Sequence, residues 1–229
     1  MVPQSNGKMY LADERGCSQA DWFRSMHTFN FGQFDHPHKT AAGPLYVLND
    51  DTLAGQRSVD LLVKEDSEVL LMPLVGCIVC KNGKGFDEVI EAGDCFKLLV
   101  KAGTTLTLTN PYRDELVNYL VLWYKKPVKT WEKKISCFDV FNYRNRFLDL
   151  FPGSKSPKYY IGKFGGRAEL LHRLASPHNA VFIFVLEGAF EVQYRLLHAR
   201  DGLLLWDVHE VELEALSSDA IILAVEFSV

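Results

Sequence analysis

"EAGDCFKLLVKAGTTLTLTNP", Glu91 to Pro111, decides the fold class. From Thr104 to Asn110 it alternates threonine with leucine, a period of two that places the leucines on one face of a strand. The preceding "CFKLLV" is an apolar run suited to a strand buried on both faces. "EAGD", Glu91 to Asp94, supplies the turn chemistry in front of it.

The same pattern recurs outward in both directions. "VELEAL" (Val211 to Leu216) alternates as cleanly, and "LVNYLVLWY" and "AVFIFVLEG" are apolar runs with aromatic and β-branched content. Turn signals separate them: "KNGKG" at Lys81 to Gly85 and "RDG" at Arg200 to Gly202. Many short strands joined by Gly, Asn and Asp turns predict an all-β sandwich or barrel. One helix is expected, Phe138 to Phe151, stopped by Pro152-Gly153.

A weak internal repeat predicts two domains. "LVGCIVC…EAGDCFKLL…TLTLT…LVLWY" echoes "LEGAFEV…ARDGLLLW…VELEAL…IILAVEF", with turn glycines at Gly76 and Gly188. The charged, proline-containing stretch Tyr124 to Lys134 has linker character, so the expected domains are 1–126 and 127–229.

Composition narrows the function classes. A net charge of −4 without a basic stripe argues against nucleic acid as a partner. No apolar run reaches membrane-spanning length, and "MVPQSNGKMY" lacks a signal-peptide pattern. Five irregularly spaced cysteines form no disulfide framework. The expectation is a cytoplasmic protein with reduced thiols.

"ADERGCSQADWFRSMHTFNFGQFDHP", Ala12 to Pro37, resembles the opening of pirin and its bacterial relatives, which read R-G and then H-T-F-S-F-x-x-Y-x-D-P. "LYVLNDDTLAGQ", Leu45 to Gln56, resembles the N-D-D…G segment that follows in them. Glu91 to Pro111 matches their A-G-(D/E)-x-Q-x-M-x-A-G-x-G-x-x-H-S-E-x-N-P in frame. The resemblance covers nearly the whole chain and implies a bicupin, two cupin β-barrels (double-stranded β-helix, jelly-roll) in one chain.

The family implies a metal, normally iron, held in the first barrel by an H-P-H-(K/R)-D-x-E segment and an H-S-E segment. In this chain those positions fall on Leu62 and Lys64, with Asp66 and Glu68 matching D-x-E, and on Leu106 and Leu108. Leucine has no lone pair to donate and an ammonium repels a cation. The expectation is therefore no metal cofactor. The alternative is iron or another divalent transition metal. Lys64 facing inward would be a semi-buried cation needing Asp66, Glu68 or an anionic ligand; facing outward it is solvated.

Other signals are weaker. His36-Pro37-His38 beside Asp35 offers two ligands on a loop where the family reads Y-D-P. Cys77 and Cys80 spell CxxC, but on a strand they point to opposite faces and read as inert thiols. His172, His178, His198 and His209 do not form the paired-histidine pattern of a catalytic cupin half, although residual metal there or at His36/His38 stays open. His27 reads as a buried imidazole pinning the N-terminal segment. Two functions follow: a metal-free, non-enzymatic protein that binds a small apolar or anionic molecule or acts as a regulatory module, or a metal-dependent quercetin 2,3-dioxygenase-type oxidoreductase. A homodimer is allowed, not required.

Overall fold

A computed structural model describes residues 5–83, 85, 87–139 and 142–228. Twenty-one strands and one short 3-10 turn, with no α-helix among the described residues, meet the all-β expectation. In chain order the strands begin with β1 (Gly7–Tyr10), β2 (Gly16–Ala20), β3 (Phe23–His27), β4 (Leu45–Leu53), β5 (Ser58–Val63), β6 (Ser67–Val75) and β7 (Cys77–Lys81). Next come β8 (Asp87–Glu91), β9 (Asp94–Val100), β10 (Thr104–Thr109), β11 (Val117–Lys125), β12 (Lys133–Cys137), β13 (Leu148–Asp149) and β14 (Lys158–Phe164). The last seven are β15 (Glu169–Arg173), β16 (Asn179–Glu187), β17 (Ala189–Val192), β18 (Arg195–His198), β19 (Gly202–Leu205), β20 (Glu210–Ala215) and β21 (Ala220–Ser228).

The internal repeat is topological. In the first unit one sheet contains β9-β6-β11-β4 and the facing sheet is β5-β10-β7-β8. In the second, the corresponding orders are β19-β16-β21-β14 and β15-β20-β17-β18, each strand ten places further along. Each unit is thus two antiparallel sheets closed over one apolar core. Gly76 and Gly188 occupy equivalent turns, both with φ of 76°. Only glycine adopts that backbone without strain, and a Cβ on Gly76 would press on Val117 and Tyr112.

The division of the chain differs from the expected one at residue 126. One unit is Arg15–Phe138; the other joins the segment up to Glu14 to everything from Asp139 onward. Edge pairing explains both differences. β12 continues the first unit's sheet by pairing with β9, Lys133 opposite Leu98. β1 does the same for the second unit on β19, Gly7 opposite Leu205. An open strand edge recruits whichever segment can pair with it, whatever the linker composition suggests.

The helix expected over Phe138 to Phe151 is corrected where it can be seen; Val140 and Phe141 lie outside the described residues. From Asn142 the chain makes turns and then β13, Leu148 opposite Ile161. Phe147 packs on the core, and Leu150 and Phe151 are buried. Their apolar spacing serves docking onto β14 rather than a helical stripe.

Candidate functional site

β10 follows its sequence pattern, with Leu106 and Leu108 fully buried in the first core. β5 pairs with it antiparallel, Leu61 opposite Leu106, Val63 opposite Thr104 and Val59 opposite Leu108. Directly opposed residues share a face, so Leu61 and Val63 turn inward with the two leucines of β10. Leu62 is 51% exposed and Lys64 lies on the surface just beyond β5. Two of the four expected pocket positions are therefore corrected: Leu62 and Lys64 face solvent, and Leu61 and Val63 take their place. Counting across the turn at 64–66 carried the period-two pattern one residue out of phase.

The chemistry of the wall survives this shift. Leu61, Val63, Leu106 and Leu108 offer only hydrocarbon where the resemblance implies imidazole and carboxylate donors. Among the described residues no three His, Cys, Asp or Glu side chains come together in a way that could hold a metal ion. The residues present do not fit the family's metal.

Beside this wall lies a half-open cavity of about 480 Å³, lined by Leu98, Val100, Leu106, Val128 and Trp131, with Lys101 at its edge. The first three belong to strands of the barrel, whereas Val128 and Trp131 come from the segment between β11 and β12. Asp66 holds that segment in place. Its two carboxylate oxygens accept the N–H groups of Ala102 (3.0 Å) and Val128 (3.2 Å). Those bonds, Ala102's first, hold the Asp66 carboxyl below its ordinary range. Glu68, buried, accepts from the Lys126 ammonium at 2.8 Å. The D-x-E pair here ties down the cavity rim.

The opposite sheet carries a buried polar row that sequence reading missed. Asp51 on β4 lies across from Ser25 on β3 and Tyr119 on β11. The Ser25 hydroxyl donates to Asp51 Oδ1, while Asp51 Oδ2 and the Tyr119 hydroxyl are buried without a hydrogen-bond partner. Burial pushes the Asp51 carboxyl up to about 7, despite the Ser25 bond. Burial likewise pushes the Tyr119 hydroxyl well up, and the Asp51 charge adds to this. Asp51 stands four residues after Val47 and two before Leu53, so on a strand it shares their inward face; that phase was the available signal.

His27 is buried in the same row, as expected of a pin. Its Nε2 meets Ser18 Oγ at 2.9 Å and its Nδ1 meets Asn49 Oδ1 at 3.0 Å, bridging three strands. His36 and His38 stay on an exposed loop, where His36 Nδ1 accepts the His38 N–H at 3.2 Å. Cys80 is buried in the core with its thiol pushed up to about 12 by burial, and Cys77 faces the other way, half-buried. In the second unit His178, His198 and His209 are all exposed, and Glu187 is too. His172 alone points into the barrel, where it meets Glu226, a residue no motif had marked.

The family described as Quercetinase C-terminal cupin domain matches residues 156–227. The quercetin 2,3-dioxygenase of Escherichia coli K12 is 23% identical over 228 residues, covering 93% of this chain and 95% of that protein. The crystal structure of YhhW from E. coli superposes with a TM-score of 0.85 at 22% identity, covering 97% of each chain. The structure described as bacterial pirin YhhW in complex with nickel(II) gives 0.84 at 22% identity, covering 97% of this chain and 99% of that one. With the ten-place strand offset, these superpositions show that the chain has an all-β fold of two cupin-like barrels, similar to that of the bacterial pirin YhhW, and its residues 156–227 match the quercetinase C-terminal cupin domain.

Proposed function

We propose that this chain is a pirin-like bicupin that has exchanged the family's metal for an apolar binding wall, and that it binds a small apolar or anionic molecule without catalysing a reaction. The observation that carries this reading is the identity of the inward residues on β5 and β10, Leu61, Val63, Leu106 and Leu108. A hydrated cation gains nothing from hydrocarbon, whereas an apolar ligand does. Leu106 continues into the 480 Å³ cavity, and Lys101 at its edge suits an anionic group. Five free thiols agree with a reducing, cytoplasmic setting. No helix among the described residues is long and apolar enough to cross a membrane.

The test combines elemental analysis with ligand binding. Protein purified without chelators is expected to contain no stoichiometric iron, nickel, zinc, manganese or copper. The anionic dye 8-anilinonaphthalene-1-sulfonate is expected to quench the fluorescence of Trp131 in the wild type and not in Leu106→Trp, which fills the cavity.

The second reading is a metal-dependent quercetin 2,3-dioxygenase, favoured by the name of the E. coli relative that aligns along nearly the whole chain. Metal near one per chain, with oxygen consumed on adding quercetin, would establish it in place of the first.

A further inference from the structure

The cavity beside β10 has walls that are fixed without a ligand. Leu98 and Val100 of β9 and Leu106 of β10 form one side, and the segment carrying Val128 and Trp131 forms another. That segment is tied at both ends. The Val128 N–H donates to Asp66 at 3.2 Å, and the Glu132 carbonyl accepts the Leu99 N–H at 2.9 Å. One residue further on, Lys133 pairs with Glu88 of β8. Walls held in this way lower the ordering cost of binding. A volume of about 480 Å³ is the room of roughly 16 waters in the liquid, enough for a two-ring molecule of about a dozen non-hydrogen atoms.

The chemistry of the lining selects the ligand. Leu98, Val100, Leu106 and Val128 give an aliphatic interior, and the Trp131 indole, 53% exposed, stands at its rim. An aromatic body gains ring contact with that indole, which an alkyl chain does not. Among the described residues no acidic side chain lines the cavity, and its one ionisable group is Lys101. Lys101 and Thr104 flank the turn between β9 and β10, where the Thr104 N–H donates to the Lys101 carbonyl at 3.2 Å. One turn thus supplies both residues to the polar end of the cavity. Lys101 lies close enough to Asp66 to favour its ionised form, but the Asp66 oxygens are taken by the Ala102 and Val128 N–H groups. An arriving carboxylate meets one cation and no competing anion within the lining.

Resting on the reading of this cavity as a binding site, we infer that its ligand is an aryl monocarboxylate, with the ring system among Leu98, Leu106 and Trp131 and the carboxylate at Lys101.

Isothermal titration of the full-length protein with 2-naphthoate, its neutral isostere 2-naphthamide, and decanoate tests this. Naphthoate should bind at least about threefold tighter than naphthamide, as an exposed charge pair allows. Lys101→Met keeps the apolar stem and removes the charge; it should erase that preference and leave naphthamide binding unchanged. Trp131→Leu should weaken naphthoate by a larger factor than decanoate. Both side chains are exposed, so neither variant disturbs the core. Naphthoate binding no tighter than naphthamide, a preference that survives Lys101→Met, or equal losses of naphthoate and decanoate in Trp131→Leu would overturn the inference. If naphthamide and 8-anilinonaphthalene-1-sulfonate bind all the same, only the aryl carboxylate assignment falls. If none of these compounds binds, the reading of the cavity as a binding site falls with it.

Discussion

Leu106 of β10 stands directly opposite Leu61 of β5, and both side chains turn into the first barrel. This one pair lines the inner wall with hydrocarbon, and it also sets the phase of β5. Leu62, the next residue, therefore faces water.

Alanine substitution separates the two phases. Leu61→Ala removes buried methyl groups and should cost about 2–4 kcal/mol in chemical unfolding, whereas Leu62→Ala should cost less than about 1 kcal/mol. The reverse order would place Leu62 in the core.

Lys64 is exposed at the end of β5. Lys64→Leu should change stability by no more than about 0.5 kcal/mol, because no buried charge is removed. A gain well beyond that, read from the urea midpoint, would mean a desolvated ammonium.

Asp51 makes stability depend on pH. Its folded value is raised by burial to about 7, from an ordinary 3.8. Between those values the folded chain holds a proton that the unfolded chain does not, so the group's contribution weakens as pH rises towards 7 and is fully present below 3.8. Comparing urea unfolding of the wild type and Asp51→Asn, the stability difference should move by about 2–3 kcal/mol in the variant's favour from pH 5 to pH 8. A difference that stays constant over that range would contradict a carboxyl buried among Ser25 and Tyr119.

Asp66 acts in the opposite direction. Its carboxyl is held below the ordinary range by the Ala102 and Val128 N–H groups, so the clamp is intact above the unfolded value and is lost as pH falls through the folded one. Asp66→Asn leaves one amide without its acceptor. Hydrogen exchange at Val128 should accelerate in the variant at neutral pH, and in the wild type the protection there should decline under acid. Unchanged protection in both cases would show that the segment between β11 and β12 is held by other contacts.

Local periodicity was enough to read the strands around Thr104 to Thr109 and Val211 to Leu216, because alternation and burial coincide there. The duplicated turns at Gly76 and Gly188 likewise announced two barrels, since only glycine suits that backbone. The absence of any histidine between His38 and His172 is equally plain in the sequence, whatever the register of the strands.

Three features depended on contacts between distant segments. The phase of β5 passes through a turn that erases period-two counting, so only its pairing with β10 shows that Leu61 rather than Leu62 faces inward. The unit boundaries follow from which segments cap the edges of β9 and β19, a choice made by hydrogen bonding across the fold. Glu226 sits in an apolar strand with no motif around it; what marks it is His172, brought alongside from 54 positions earlier in the chain. Sequence carries residue chemistry and short-range period, while closure of the barrel determines which side chains meet.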